Sequence, residues 1–165
     1  MFCPAFGALV VFIAAAFGPD RVGAQPLTLD NGFRSPSGNI HCQYFDMEAV
    51  LRCDLKEIAN RPLPRPRDCE NDWGQAFEVF ARKNETGPIC YGDTVMDDRL
   101  PVLGYGDRWQ RGDFVCHSER TGVSCVNSLG AGFALSRSAQ TVLRGSADKS
   151  DARKSGAKSI GGRID

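Results

Sequence analysis

The sequence predicts a mainly β domain, a small antiparallel sheet or barrel-like fold stapled by three disulfides. Three observations carry that expectation. Beyond an apolar N-terminal stretch lie six cysteines, Cys42, Cys53, Cys69, Cys90, Cys116 and Cys125. Around the first two and the last two of them, apolar and polar residues alternate with the period of a half-buried strand. Turn-forming Gly, Asn, Asp and Ser separate these runs at short intervals.

The N-terminus is read first because it bears on the rest. Met1 to Phe17 carries no charged side chain, and Ala5 to Phe17 is almost unbroken apolar sequence. Val22-Gly23-Ala24 before Gln25 places small or modest residues where a secretory cleavage site needs them. A membrane-spanning helix requires about 20 apolar residues, more than this run supplies before Pro19, Asp20 and Arg21. Residues 1–24 are therefore expected to be a cleaved signal peptide and the mature chain to be secreted or periplasmic. Cys3 would leave with the signal. No later segment is long and apolar enough to cross a membrane. An even number of cysteines in an exported chain reads as a disulfide framework.

The chain carries 20 basic and 20 acidic side chains in 165 residues, so no bulk charge draws it to nucleic acid or an anionic membrane. A length near that of one ordinary domain argues for a single core. The charge is uneven, however: residues 25–143 sum to −3 and residues 144–165 to +3. From Gly145 onward only Ile160 and Ile164 are large and apolar, so residues 144–165 are expected to be a disordered basic tail.

Element by element, Phe33 to Asn39 is rich in turn formers. Ile40, Cys42 and Tyr44 then share one face of a strand, and Leu51, Cys53 and Leu55 one face of the next. Folding these runs about Met47-Glu48 sets Ile40 opposite Leu55, Cys42 opposite Cys53 and Tyr44 opposite Leu51. A single register thus collects the apolar pairs and both cysteines on one side. The same construction about Glu119-Arg120-Thr121-Gly122 sets Cys116 opposite Cys125 and, on the other side, Val115 opposite Val126. Phe133 and Leu135 read as inward residues of a further strand after the Leu129–Gly132 connection.

The middle is less regular. Arg61 to Arg67 alternates proline with other residues and suits an extended surface connection rather than a central strand. For residues 73–82, Trp73, Phe77 and Phe80 fit helical spacing, whereas Phe77 and Val79 fit a strand; consistency with the rest favours the strand. Cys69 then pairs with Cys90 by elimination. Val102, Leu103 and Trp109 are the residues of 91–113 that reach for the core. No internal repeat is convincing.

The segments Phe33-Arg34-Ser35-Pro36-Ser37-Gly38-Asn39-Ile40-His41-Cys42, Leu51-Arg52-Cys53, Asp72-Trp73-Gly74 and Cys90-Tyr91-Gly92-Asp93-Thr94 form an ordered series. It continues through Val102-Leu103-Gly104-Tyr105-Gly106, Cys116, Thr121 to Asn127 and Gly132 to Arg137. In this series the chain resembles an uncharacterised family of small exported bacterial proteins, a domain of unknown function. The resemblance covers residues 33–140 and implies a single exported domain. It supplies no catalytic residues and leaves the basic tail outside.

No chemical motif stands out. Zinc needs three or four ligands, and His41 and His117 are the two histidines, with the six cysteines better used in disulfides. Asp93, Asp97 and Asp98 lack the spacing of a calcium loop. A Ser-His-Asp set can be assembled on paper, without a Gly-x-Ser-x-Gly elbow to support it. Gly130-Ala131-Gly132 is not a phosphate loop, and no Cys-x-x-Cys occurs. No cofactor, metal or catalytic residue is therefore assigned. Tyr91, Tyr105 and Trp109 are the candidate recognition surface; the competing reading packs Trp109 and at least one tyrosine against the core. The expected function is that of a monomeric, non-enzymatic exported domain recognising an envelope or extracellular component. A small secreted or periplasmic hydrolase is the alternative.

Overall fold

The computed structural model describes residues 31–146. The expected signal peptide and all but the first three residues of the expected tail lie outside the described residues. Within them, ten strands form and no helix. β1 (Gly32–Arg34), β2 (Ile40–Phe45), β3 (Val50–Leu55), β4 (Asp72–Phe80) and β5 (Thr86–Tyr91) make one antiparallel sheet in that order. β6 (Arg108–Arg111), β7 (Phe114–Glu119), β8 (Gly122–Val126), β9 (Gly132–Leu135) and β10 (Gln140–Leu143) make a second, also in sequence order. Neither sheet closes into a barrel; the two face each other across one core, so the barrel-like alternative gives way to a sandwich.

Register follows the apolar pattern. Ile40 pairs with Leu55, Cys42 with Cys53 and Tyr44 with Leu51, while Cys116 pairs with Cys125 and Val115 with Val126. Disulfides close the first and last cysteine pairs with Cα atoms 4.1 Å apart, and Cys69–Cys90 is the third. Residues 73–80 are strand rather than helix. Phe77 and Val79 pair with Cys53 and Leu51 and are fully buried. β4 bulges between Trp73 and Phe77, where Gly74 takes φ +93°, a region a side chain rarely tolerates. The proline run at 61–67 is exposed and outside the strands, and Leu63 accepts a hydrogen bond from the Trp73 indole at 3.0 Å.

The two sheets repeat one plan that the sequence did not reveal. In the first, Phe33, Cys42, Cys53 and Phe77 form a row across β1–β4. In the second, Trp109, Cys116, Cys125 and Phe133 form the same row across β6–β9. The rows stack in the same order. Phe33 lies 5.3 Å from Trp109 and Phe77 6.2 Å from Phe133 between ring centroids, and Tyr44 of β2 meets Phe114 of β7 at 5.8 Å. Tilted aromatic pairs of this kind add to the burial of apolar area, the main driving force for the fold. Asn127, itself buried, locks the sheets together. Its side-chain amide donates to Phe80 and Lys83 carbonyls at 2.8 and 2.7 Å, and its oxygen accepts from the Leu129 and Ala131 amides.

Candidate functional site

Chain connectivity builds the site. To pass from β5 at one edge of the first sheet to β6 in the second, residues 92–107 form a strap. Its first part crosses the outer face of the first sheet, residues 101–103 run beside the β1 edge, and Gly106 and Asp107 bond Ser118 of β7. Outward side chains of β1, β2 and β3 anchor it. Arg52 of β3 makes paired bonds to Asp54 at 2.8 and 3.0 Å, and reaches the Asp93 carboxylate at 2.9 Å and its carbonyl at 2.7 Å. Asp54 also accepts from the Thr94 hydroxyl at 2.9 Å and the Val95 amide at 3.0 Å. Gln43 of β2 donates to the Val95 carbonyl, and Arg34 of β1 to the Leu100 carbonyl, both at 3.0 Å. The Arg34 amide and carbonyl continue the contact to Pro101 and Leu103. Leu103 enters the core, but Val102 stays 42% exposed, contrary to the expectation that both reach inward.

His41 belongs to this set. It is 2% exposed; its Nδ1 lies 3.2 Å from both the amide and the carbonyl of Asp97, and its Nε2 donates to the Gly38 carbonyl at 3.1 Å. Its nearest carboxylate, Asp98, stands 4.0 Å from Nε2. Ser35, also buried, accepts from the Ile40 amide at 3.1 Å and bonds Ser37. His41, Asp54 and Ser35 are thus engaged in holding turns and strap. His117 is exposed on β7, in register with Arg108 and Ser124.

Strand parity gathers the β1–β2, β3–β4, β7–β8 and β9–β10 turns and both ends of the strap at one end of the sandwich. There they enclose an open cleft of about 520 Å³. Its wall combines hydroxyls of Ser37, Thr121 and Ser136 with Tyr105 and with charges of both signs. Arg137 pairs with Glu57 at 2.9 Å, and the Arg120 guanidinium lies 5.2 Å from the Tyr105 ring centre. Asp97, just behind the cleft, has its carboxyl held down to about 2 by hydrogen bonds from the Arg99 side chain and amide. That pairing and the Arg52–Asp93 pairing use two of the three aspartates considered for calcium, leaving Asp98 alone at the cleft rim.

Of the three candidate recognition aromatics, Tyr105 lines the cleft and is 43% exposed. Trp109 is 0% exposed and stacks on Phe33, so it is a core residue. Tyr91 is half-buried on the first sheet, 5.4 Å from the Arg52 guanidinium, and burial raises its phenol pKa above the usual range. The three do not form one surface. The charged rim of the cleft, Glu57, Asp98, Arg120 and Arg137, was missed because these residues lie in four separate turns and have no common spacing. The signal available was parity: once the hairpin registers are fixed, their turns must share an end.

Among the described residues, Cys42, Cys53 and Cys125 are the one group of three or more potential metal ligands with donor atoms within 4.8 Å of each other. All three sulfurs are committed to disulfides, which leaves no thiolate to bind a metal. No helix among the described residues is long and apolar enough to cross a membrane.

The profile of a family described as a family of unknown function, DUF6636, matches residues 22–143, most of the chain and all ten strands. The chain belongs to this family. No match was found among curated proteins or among solved structures. The DUF6636 match takes in every turn that lines the cleft.

Proposed function

We propose that the protein is an exported, non-enzymatic recognition domain that engages an envelope or extracellular component through the cleft beside Tyr105. The observation that carries this reading is the division of labour among polar side chains. His41, Asp54 and Ser35, buried enough to be tuned for chemistry, are engaged by strap and turn groups, and the buried Ser118 hydroxyl, which has no hydrogen-bond partner among the described residues, is bonded to neither histidine. The exposed ones converge instead on an open cleft around a partly exposed aromatic ring. Loops carried on a rigid, stapled frame lose little entropy on binding. Export is supported by the apolar leader at residues 5–17, the Val22-Gly23-Ala24 site and three disulfides.

The test is capture of envelope components by protein recovered after export, compared with a Tyr105→Ala variant of equal thermal stability. Capture is expected to fall roughly tenfold, about 1.4 kcal/mol. Undiminished capture that disappears when residues 144–165 are removed would transfer recognition to the basic tail. Turnover in a hydrolase screen that is lost with His41→Gln would replace the proposal with the hydrolase reading.

A further inference from the structure

The cleft does not end at the sandwich rim. A second depression, of about 250 Å³, adjoins it and shares the wall formed by Glu119, Thr121, Gly122 and Ser136. It continues over the outer face of the second sheet, past Ser124 and Ala134 to Thr141 on β10. From β7 to β10 is three strand spacings, about 14 Å, before the first cleft is added. Gly122, at φ +144°, keeps the shared wall low: a β-carbon there would stand 2.2 Å from the Leu135 carbonyl oxygen.

The lining has a definite chemistry. Hydroxyls recur along its length, at Ser37, Thr121, Ser136, Ser124 and Thr141. Charges cancel: Lys56, Arg120 and Arg137 face Glu57, Asp98 and Glu119. A polyanion would gain from three cations and lose to three carboxylates, and a polycation the reverse, so neither is selected. Tyr105 supplies the one large exposed aromatic of the wall, amphipathic and rigid, with a guanidinium against its ring.

We infer that this extended site takes a linear, neutral, polyhydroxylated chain, a polysaccharide strand whose hydroxyls exchange hydrogen bonds with the serine and threonine row and whose apolar C–H face lies on Tyr105. This rests on the reading of the cleft as a recognition site. Length, polarity and zero net charge together favour such a strand over a peptide, which would seek apolar side-chain pockets.

The experiment is amide NMR titration of the full exported protein with chitotetraose and cellotetraose, alongside chitobiose. At least one tetrasaccharide is expected to give saturable shifts at both Tyr105 and Thr141. Tyr105→Ala should weaken tetrasaccharide binding at least tenfold. Thr141→Arg, at the exposed far end, should weaken the tetrasaccharide while leaving the disaccharide within about twofold, with unchanged melting temperature verifying the fold. Absence of saturable shifts with either tetrasaccharide overturns the polysaccharide assignment. If envelope capture nevertheless depends on Tyr105 and is abolished by protease treatment of the envelope, the partner is a polypeptide and the recognition reading stands without this inference. Loss of capture as well removes both.

Discussion

The two sheets are built on one plan and finished differently. Each is a five-strand meander in sequence order, each places a disulfide between its second and third strands, and each flanks that disulfide with aromatic residues. Their outer faces diverge. Beside the cysteines of the first sheet stand His41, Gln43, Arg52 and Asp54; at the matching positions of the second stand Val115, His117, Ser124 and Val126. The polar set is the more deeply buried. That inversion of the ordinary rule follows from connectivity. The chain leaving the first sheet crosses that sheet's outer face to reach the second, and a backbone strap carries amides and carbonyls that must find partners. Polar side chains meet this need. Among the described residues no such strap crosses the second sheet, whose outer face stays open to form part of the proposed ligand site.

The contrast can be broken at its most heavily bonded point. Arg52→Ala leaves Asp54 buried without its guanidinium partner and is expected to cost about 3–5 kcal/mol. The equivalent change in the second sheet, Ser124→Ala, should fall within about 0.5 kcal/mol of the parent. Urea denaturation of the two variants decides the matter, and equal costs would mean that the strap is not what Arg52 supports.

The shared plan is tested next. Replacing Cys42 and Cys53 together by serine, and separately Cys116 and Cys125, should each cost about 2–4 kcal/mol. Their loops span 11 and 9 residues, a difference worth only about 0.2 kcal/mol of loop entropy. Calorimetric costs differing by more than about 2 kcal/mol would show that the stacked rows are not energetically equivalent.

The smallest effect sharpens the comparison through pH. Glu78 lies opposite Arg52, and its matching position in the second sheet is Ala134. Burial, aided by Asp54 and Asp93 and opposed by Arg52, raises the Glu78 pKa above its ordinary value of 4.5. The folded state therefore holds this proton more tightly than the unfolded. Its contribution to stability is complete below pH 4.5 and is lost as pH rises through the folded-state value. Glu78→Gln should flatten that decline and raise the melting temperature at neutral pH by about one or two degrees. An unchanged pH profile would show that Glu78 does not contribute.

How much of this was legible follows from how local each signal is. The β2–β3 and β7–β8 hairpins could be read because cysteines and apolar residues fixed the same register within a few residues. The β4 assignment needed a tertiary fact, the pairing of Phe77 with Cys53, because Trp73, Phe77 and Phe80 fit a helix equally well. The strap was invisible: Arg52 and Asp93 are 41 residues apart, and His41 and Asp97 are 56 apart, with no periodicity joining them. Trp109, read both as a core residue and as a recognition aromatic because its neighbours are polar, fills the core opposite Phe33. Tyr105, the candidate aromatic that lines the cleft, is brought there by the strap that sequence periodicity could not show.

The disulfide connectivity carries a consequence for assembly order. The six described cysteines pair first with second, third with fourth and fifth with sixth, with no bridge spanning another. Within each sheet every strand likewise pairs with its neighbours in sequence. Such a chain need not be complete before it begins to lock. Each covalent loop can close once its own two thiols are present, in whichever direction the polypeptide is delivered, and each closure shortens the remaining search. Disulfide isomerisation runs on seconds to hours, whereas hairpins form in microseconds. A hairpin that has already set its cysteines side by side can therefore direct its first oxidation to the right partner.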